Sequence, residues 1–390
     1  MALQKDRTRI FVRGLGNLWL LRKEPTVDTA FYSAGYLKNT TITDTNEMEE
    51  IRPENGLLLD ILSKTRTVDI ETNLEQTSID EIELVRNASD KVHSVRYYGK
   101  GFNGRFQYYC AEQARIVPGL KLSFAPGERL LPLKMQALGQ DLAYEIPEYY
   151  VVETNDQINI DGLQFWLVPR AGLNLDTAKI LDVSGWYRHG DVSADFVSIW
   201  QDNASPTLPE HFLRFDGTND SINMGNVTLL NDDASGDFVI ELWMKFPSGG
   251  AQEEILTKKA LVSDNTAGWA IFKTAGNVIT AKVSTGAASV NLSTTGTITT
   301  AWKHFAMVVD RNGNLSTYLN GAADGTPTSI SALATGTNTQ NIYIGRDGTN
   351  FGQVDVGDVR IHRWITGGLP TNIATIIAAH YNGEKALYGL

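Results

Sequence analysis

The sequence predicts an all-β protein with few short helices, made of two successive β domains. Short β-prone runs recur between turn residues along most of the chain, which is the pattern of sandwiches and open barrels. A polar stretch with two prolines, Gln201–Pro209, separates two halves of different composition. The run Thr65–Glu75 alternates strictly, with Val68, Ile70, Thr72 and Leu74 on one side and Asp69, Glu71, Asn73 and Glu75 on the other. That period of two reads as a strand with one face on a core and one acidic face in water.

Taken in order, Ile10–Leu21 reads as an opening strand bent at Gly14 and Gly16, and Phe31–Ile42 as the next. The acidic run through Asp44, Glu47, Glu49, Glu50 and Glu54 is either a solvated loop or a strand paired with the opening stretch, turning near Pro53–Gly56. After the alternating strand, Ser78 with Glu81 forms a capping pattern. Ile79, Ile82 and Val85 then give a short helix over 78–88. Strands follow at Val92–Tyr98, Arg105–Ala111, Leu120–Phe124, Leu130–Leu138, Tyr149–Glu153, Gln164–Val168, Ile180–Val183 and Phe196–Trp200. The domains are therefore placed at 1–205 and 211–390, with 206–210 as linker. Residues 260–340 are rich in Thr, Ser, Ala, Gly and Asn, as expected of strands joined by wide polar loops. A helix over Leu369–Asn382 opens at Pro370-Thr371 and closes at Asn382-Gly383.

Composition excludes several classes. A net charge of −11 argues against gripping nucleic acid through its phosphates. The single cysteine, Cys110, excludes an internal disulfide and reads as a small buried residue. No apolar signal core and no membrane-spanning stretch is present, so synthesis and folding in a cytoplasm are expected. Six scattered histidines offer no transition-metal spacing. Gly99-Lys-Gly-Phe-Asn-Gly104 matches a dinucleotide-binding pattern, but strand-like residues follow it, so it reads as a hairpin tip. Glu253-Glu254 and Asp232-Asp233 read as solvated loop pairs rather than the facing carboxylates of a glycosidase. Nothing reads as catalytic, and the chain is not expected to be an enzyme.

The second half carries an ordered set: Phe215-Asp216-Gly217, Phe238–Phe246, Gly268-Trp269, Trp302-Lys303-His304-Phe305-Ala306, Tyr318-Leu-Asn320-Gly321, Ile342–Arg346 and Val356–Ile361. This resembles the laminin-G or concanavalin A-like jelly roll over residues 211–390. Asn320-Gly321 suits a two-residue hairpin turn, and Trp243 and Trp302 suit the space between two sheets. The resemblance implies glycan binding, for which Trp269, Tyr343, Phe351 and Trp364 are the aromatic candidates. It also implies that any calcium is held by loop carboxylates, with Asp216, Asp220, Asp347 and Asp355 as candidate ligands; no other cofactor is expected.

In the first half, Gly35-Tyr36, the acidic strand, Gly56 and Thr65–Val68 leading into the 78–88 helix resemble the major tail tube protein of long-tailed bacteriophages over residues 1–205. The resemblance implies self-association as hexameric rings stacked into a tube, with phage DNA and the tape measure protein in the lumen. Tail terminator and distal tail proteins would meet the tube's ends, and the protein would reside in the virion tail. Asp44, Glu47, Glu49, Asp69, Glu71 and Glu75 are then the candidate lumen residues, repelling DNA phosphates. The alternative reading is a carbohydrate-binding phage adhesin or receptor-binding protein. A glycoside hydrolase with a lectin module would need a facing carboxylate pair, which the pattern does not supply.

Overall fold

The computed structural model describes residues 6–10, 16–22, 32–51, 60–75, 92–100, 106–117, 123–125, 128–137 and 149–154. It also describes short stretches between 162 and 202, and 209–390 apart from 210, 232–235, 299 and 365–367. The chain divides into two compact units, Met1–Asn155 and Asp156–Leu390. The boundary therefore precedes the one expected at 205. Strands over 163–202 pair into the sheets of the second unit, where Phe165, Leu167, Ile180 and Ile199 join its core. Gln201 sits opposite Phe212 in a strand pair, so the linker expected at 206–210 falls between two paired strands of one sheet within the second unit.

The first unit contains β1 (Asp6–Ile10), β2 (Gly16–Arg22), β3 (Tyr32–Ile51), β4 (Asp60–Glu75), β5 (Val92–Lys100), β6 (Phe106–Ile116), β7 (Ser123–Ala125), β8 (Glu128–Ala137) and β9 (Tyr149–Thr154). The opening stretch is thus two strands rather than one bent strand, and both pair with β3. The acidic run is strand, not loop: Asp44–Ile51 pairs with β4, and Thr43–Glu47 with β1. In the sheet order β8-β4-β3-β2-β5-β6, the end strands also pair, at Ala114↔Ala137, Arg115↔Gln136 and Ile116↔Met135. These six strands close on themselves, with β8 paired to Val68–Glu75 of β4, which removes the open edge along that part of the ring. Ile70, Val95, Ala111, Ile116, Leu133 and Met135 are buried, while Glu71 and Arg115 are exposed. Buried and more exposed residues alternate along the described parts of β4 and β8 as the pleat requires, whereas β5 buries His93 and Arg96 beside Val92 and Val95. The expected helix over 78–88 lies outside the described residues, as do the side chain of Cys110 and the loop after Lys100. The β5–β6 pairing that flanks this loop is antiparallel, as a hairpin requires.

The second unit opens with β10 (Leu163–Leu167), β11 (Leu173–Asn174), β12 (Lys179–Ile180), β13 (Gly190–Val192), β14 (Trp200–Asp202), β15 (His211–Asp216), β16 (Ile222–Asn223), β17 (Asp237–Lys245) and β18 (Glu253–Lys258). It continues with β19 (Gly268–Lys273), β20 (Ile279–Ser284), β21 (Ser289–Ser293), β22 (Lys303–Val309), β23 (Asn314–Leu319), β24 (Ala322–Ser329), β25 (Tyr343–Ile344), β26 (Gln353–Trp364) and the helix α1 (Ile373–Glu384). One sheet runs β14-β15-β26-β17-β22-β23-β24 with β10 on β26; the other runs β11-β12-β13-β16-β25-β18-β19-β20-β21. Between them Phe238, Ile240, Leu242 and Met244 of β17 pack with Trp269 and Ile271 of β19 and with Phe305 and Met307 of β22. This is a jelly-roll sandwich of the concanavalin A-like kind. The β23–β24 turn is the expected one: Asn320 and Gly321 both have positive φ, 51° and 77°, as a type I′ hairpin needs.

The odd-numbered residues of β17 face the other way, and α1 covers that outer face. Val239 packs with Ile377 and Trp364, while Trp243 packs with Phe212, Trp302 and Tyr388. Trp243 and Trp302 therefore do not fill the space between the sheets; Trp269 does. The helix also runs past Asn382-Gly383 to Glu384 and a 3-10 turn over Lys385–Tyr388. Chain reversal comes at Gly389, in the left-handed conformation at φ 74°. The helix continues because Gly383 and Glu384 are buried against the sheet, and tertiary contact overrides glycine's local preference.

Candidate functional site

Among the described residues, chemistry-bearing side chains gather on the outer face of the first unit's barrel, on the surface beneath α1 and in the loop after β25.

On the barrel, alternation places Ile70 and Thr72 inside and Asp69 and Glu71 outside, as the sequence predicts. Lys134 of β8 sits across from Glu71 and bonds both acids, at 3.0 Å from Asp69 and 3.1 Å from Glu71. Those hydrogen bonds raise the Lys134 pKa. The wall is therefore less acidic here than the strand's own sequence implies. In the β3–β4 register Asp44 is paired with Val68 and Glu47 with Thr65. The side chains of Asp44, Glu47, Glu49 and Glu75 lie outside the described residues.

Beneath α1, a set of charged side chains is almost entirely dry. Glu241 of β17 receives His380 of α1, whose Nδ1 lies 2.9 and 3.1 Å from the two carboxylate oxygens, and His304 of β22 stands 3.4 Å away. Burial alone would raise the Glu241 carboxyl, but the charge and hydrogen bonds of His380 and His304 hold it well below the ordinary range. Burial lowers the His304 pKa despite the pull of Glu241. Trp243 Nε1 donates to Glu384 at 2.9 Å, and Arg360 pairs with the other Glu384 oxygen. The Tyr388 ring stacks on Trp243 at 4.1 Å, and its hydroxyl accepts the Asp358 N–H at 2.8 Å. Gly357 makes room for this lock, because a Cβ there would sit 2.3 Å from the Tyr388 oxygen. Each acid is committed to a partner within the fold, so the cluster holds α1 down and presents no reacting group to solvent. The residues that build it are spread over β17, β22, β26 and the C-terminus, so no spacing in the sequence could announce it.

The other candidates separate clearly. Trp269 is 1% exposed and donates its Nε1 to the Leu230 carbonyl at 2.7 Å, which makes it core. Trp364 stacks on His362 beneath α1. Neither offers a platform to a sugar. Tyr343 and Phe351 are half-buried and flank the Arg346 guanidinium, at 4.6 and 5.1 Å from the ring centroids. Asp355 is bidentate to Arg214 at 2.8 and 2.9 Å. Asp347 accepts the N–H groups of Val262, Thr349 and Asn350. Asp220 accepts the Asp216 N–H, and Asp216 that of Thr218. The four aspartates serve turns and one ion pair, and no group of three or more metal-ligating side chains forms among the described residues. Glu253 and Glu254 lie in β18 and are buried, correcting the loop expectation. Burial raises the Glu254 pKa, while Glu253 accepts the Gln353 N–H at 2.6 Å. No helix among the described residues is long and apolar enough to cross a membrane.

Residues 216–364 match the family model described as the concanavalin A-like lectin/glucanases superfamily. No curated protein matches the chain. Among solved structures, the binding domain of Paraclostridial Mosquitocidal Protein 1 is similar at TM-score 0.44 and 19% identity, over 57% of this chain and 52% of that one. The binding domain of botulinum neurotoxin serotype G is similar at TM-score 0.41 and 18% identity, over 56% and 50%. That of serotype D gives 0.43 and 16%, over 57% and 51%. The chain spans about half the length of these structures. Likeness at that level carries no information about function.

Proposed function

We propose that the second unit is a carbohydrate-recognition module displayed by a first unit that assembles with copies of itself, as in a phage adhesin or receptor-binding protein. The observation that carries the reading is the lectin-type family match over 216–364, which falls on the sandwich itself. We read the module as binding rather than hydrolytic. Glu241, Glu384 and Glu253 each spend their carboxylates on internal partners, which makes none of these three a free member of a facing acid–base pair. We assign no cofactor. A glycan array probed with the full chain tests the reading; binding confined to background across the array overturns it.

A second reading concerns the carrier. The β3–β4 hairpin has strands of 20 and 16 residues, and it outruns its neighbours. β8 covers only Val68–Glu75 of β4, so Asp60–Thr67 has no ladder on its outer side among the described residues. A long open edge of this kind favours pairing with another copy. This supports a phage tail tube subunit in the virion, forming stacked hexameric rings around DNA and the tape measure protein, with terminator and distal tail proteins at the ends. Negative-stain microscopy of the purified chain should show rings or tubes with 65–75 at the pore. A chain that stays monomeric under every assembly condition overturns it.

A further inference from the structure

Arg346 is placed differently from the other arginines discussed. Arg214 and Arg360 each meet a carboxylate. Arg346 meets none: its Nε donates to the Asp347 carbonyl at 2.8 Å and its Nη2 to the Gly348 carbonyl at 2.6 Å. A guanidinium carries five N–H donors in a planar fork, so the end formed by Nη1 and Nη2 stays open. The neighbouring acid does not compensate it. The Asp347 carboxylate is turned into its own loop, occupied by Val262, Thr349 and both nitrogens of Asn350.

The group is also held still. Tyr343 and Phe351 flank it, a bridge joins Arg346 to Phe351, and the loop is tied down by the Gly348 N–H donating to Ala260 at 2.6 Å. Side-chain entropy is thus already spent before any ligand arrives. Thr349 and Asn350 are exposed in the same loop. Asn350 uses its amide nitrogen on Asp347, which leaves its oxygen to accept from a hydroxyl.

We propose that the Arg346 fork, with Thr349 and Asn350, is the subsite that reads the carboxylate of an acidic saccharide. A planar open fork matches a carboxylate bidentately, and exposed hydroxyl and amide groups beside it match ring hydroxyls. The assignment rests on the carbohydrate-binding reading above and narrows it to uronate- or sialate-type sugars.

The test is an array of neutral, carboxylated and sulfated glycans probed with the full chain, followed by titration of the best carboxylated glycan and its methyl ester. The carboxylated members should dominate, and esterification should weaken binding about tenfold or more, the loss of one charge-assisted pair. Arg346→Gln should erase the difference between acid and ester, and Arg346→Lys should lose most of it while keeping the charge. Should Arg346→Gln fail to fold, the ester titration on the unaltered chain still decides. Equal binding of acid and ester overturns the subsite and leaves the lectin reading standing. A preference for sulfated glycans overturns the carboxylate assignment. No binding anywhere on the array overturns both.

Discussion

The two units solve the same problem, covering both faces of a β-sheet, in opposite ways. The first closes one sheet on itself, so a strand such as β4 needs only one apolar face and water serves the other. The second stacks two sheets and then covers an outer face as well, with α1 laid over Glu241, Trp243, His304 and Arg360. The comparison separates polarity from exposure. Glu71 is polar and wet; Glu241 and Glu384 are polar and dry, and only their partners make that tolerable.

The largest way to break the contrast is to strip a buried charge of its nearest partner. Glu384→Leu should cost about 3 kcal/mol, because Arg360 keeps only the more distant Asp358, at 3.7 Å, and Trp243 loses its acceptor. Chemical denaturation should show the second unit's transition moving and the first unit's staying put; an unmoved second transition would mean that α1 contributes nothing. In the barrel the sensitive position is apolar. Ile70→Ala should cost about 2–4 kcal/mol in the first unit, since Ile70 is fully buried.

Acid gives a third test, and it acts on the second unit. The His304 pKa is lowered in the fold, so the unfolded chain binds the extra proton first and stability declines as pH falls below about 6.5. Glu241 is also lowered, so its contribution is present above its ordinary value of 4.5 and is lost as pH drops from there toward its folded value. Thermal midpoints read from pH 8 to pH 4 should fall for the second unit, and His304→Asn should flatten the upper part of that fall. The smallest effect is expected on the barrel wall. Lys134→Met removes an exposed bridge and should change stability by less than about 1 kcal/mol, while making the wall more acidic. A large loss there would show that the outer face is structural after all.

Legibility followed the same division. The alternation over 69–72 gave both faces of β4 directly, because a strand on a closed barrel has one neighbour environment per side. The Asn320-Gly321 turn was equally plain, since its φ values are a local demand. Trp269 and Trp243 were not distinguishable, as both are tryptophans in apolar strands; only tertiary packing sends one between the sheets and the other under α1. Glu253 and Glu254 looked like loop residues because charge usually marks a surface, and burial was compensated by the backbone amide of the distant Gln353 and by the side chain of Gln252. The early boundary of the second unit was hidden for a related reason. Its first strand, β10, has its partner in β26, nearly at the other end of the unit.

That last pairing fixes the timing of folding. Leu163–Leu167 finds its strand only after Val359–His362 has been made, and the outer face of β17 is covered only when Ile373–Tyr388 follows. During synthesis the strands of the first unit are all made while the second still lacks the cover over Trp243, the His380 partner of Glu241 and the Glu384 partner of Arg360. Ile373–Tyr388 is therefore needed to complete it, so a ribosome stalled short of Glu384 would leave a finished barrel joined to a sandwich still open to aggregation.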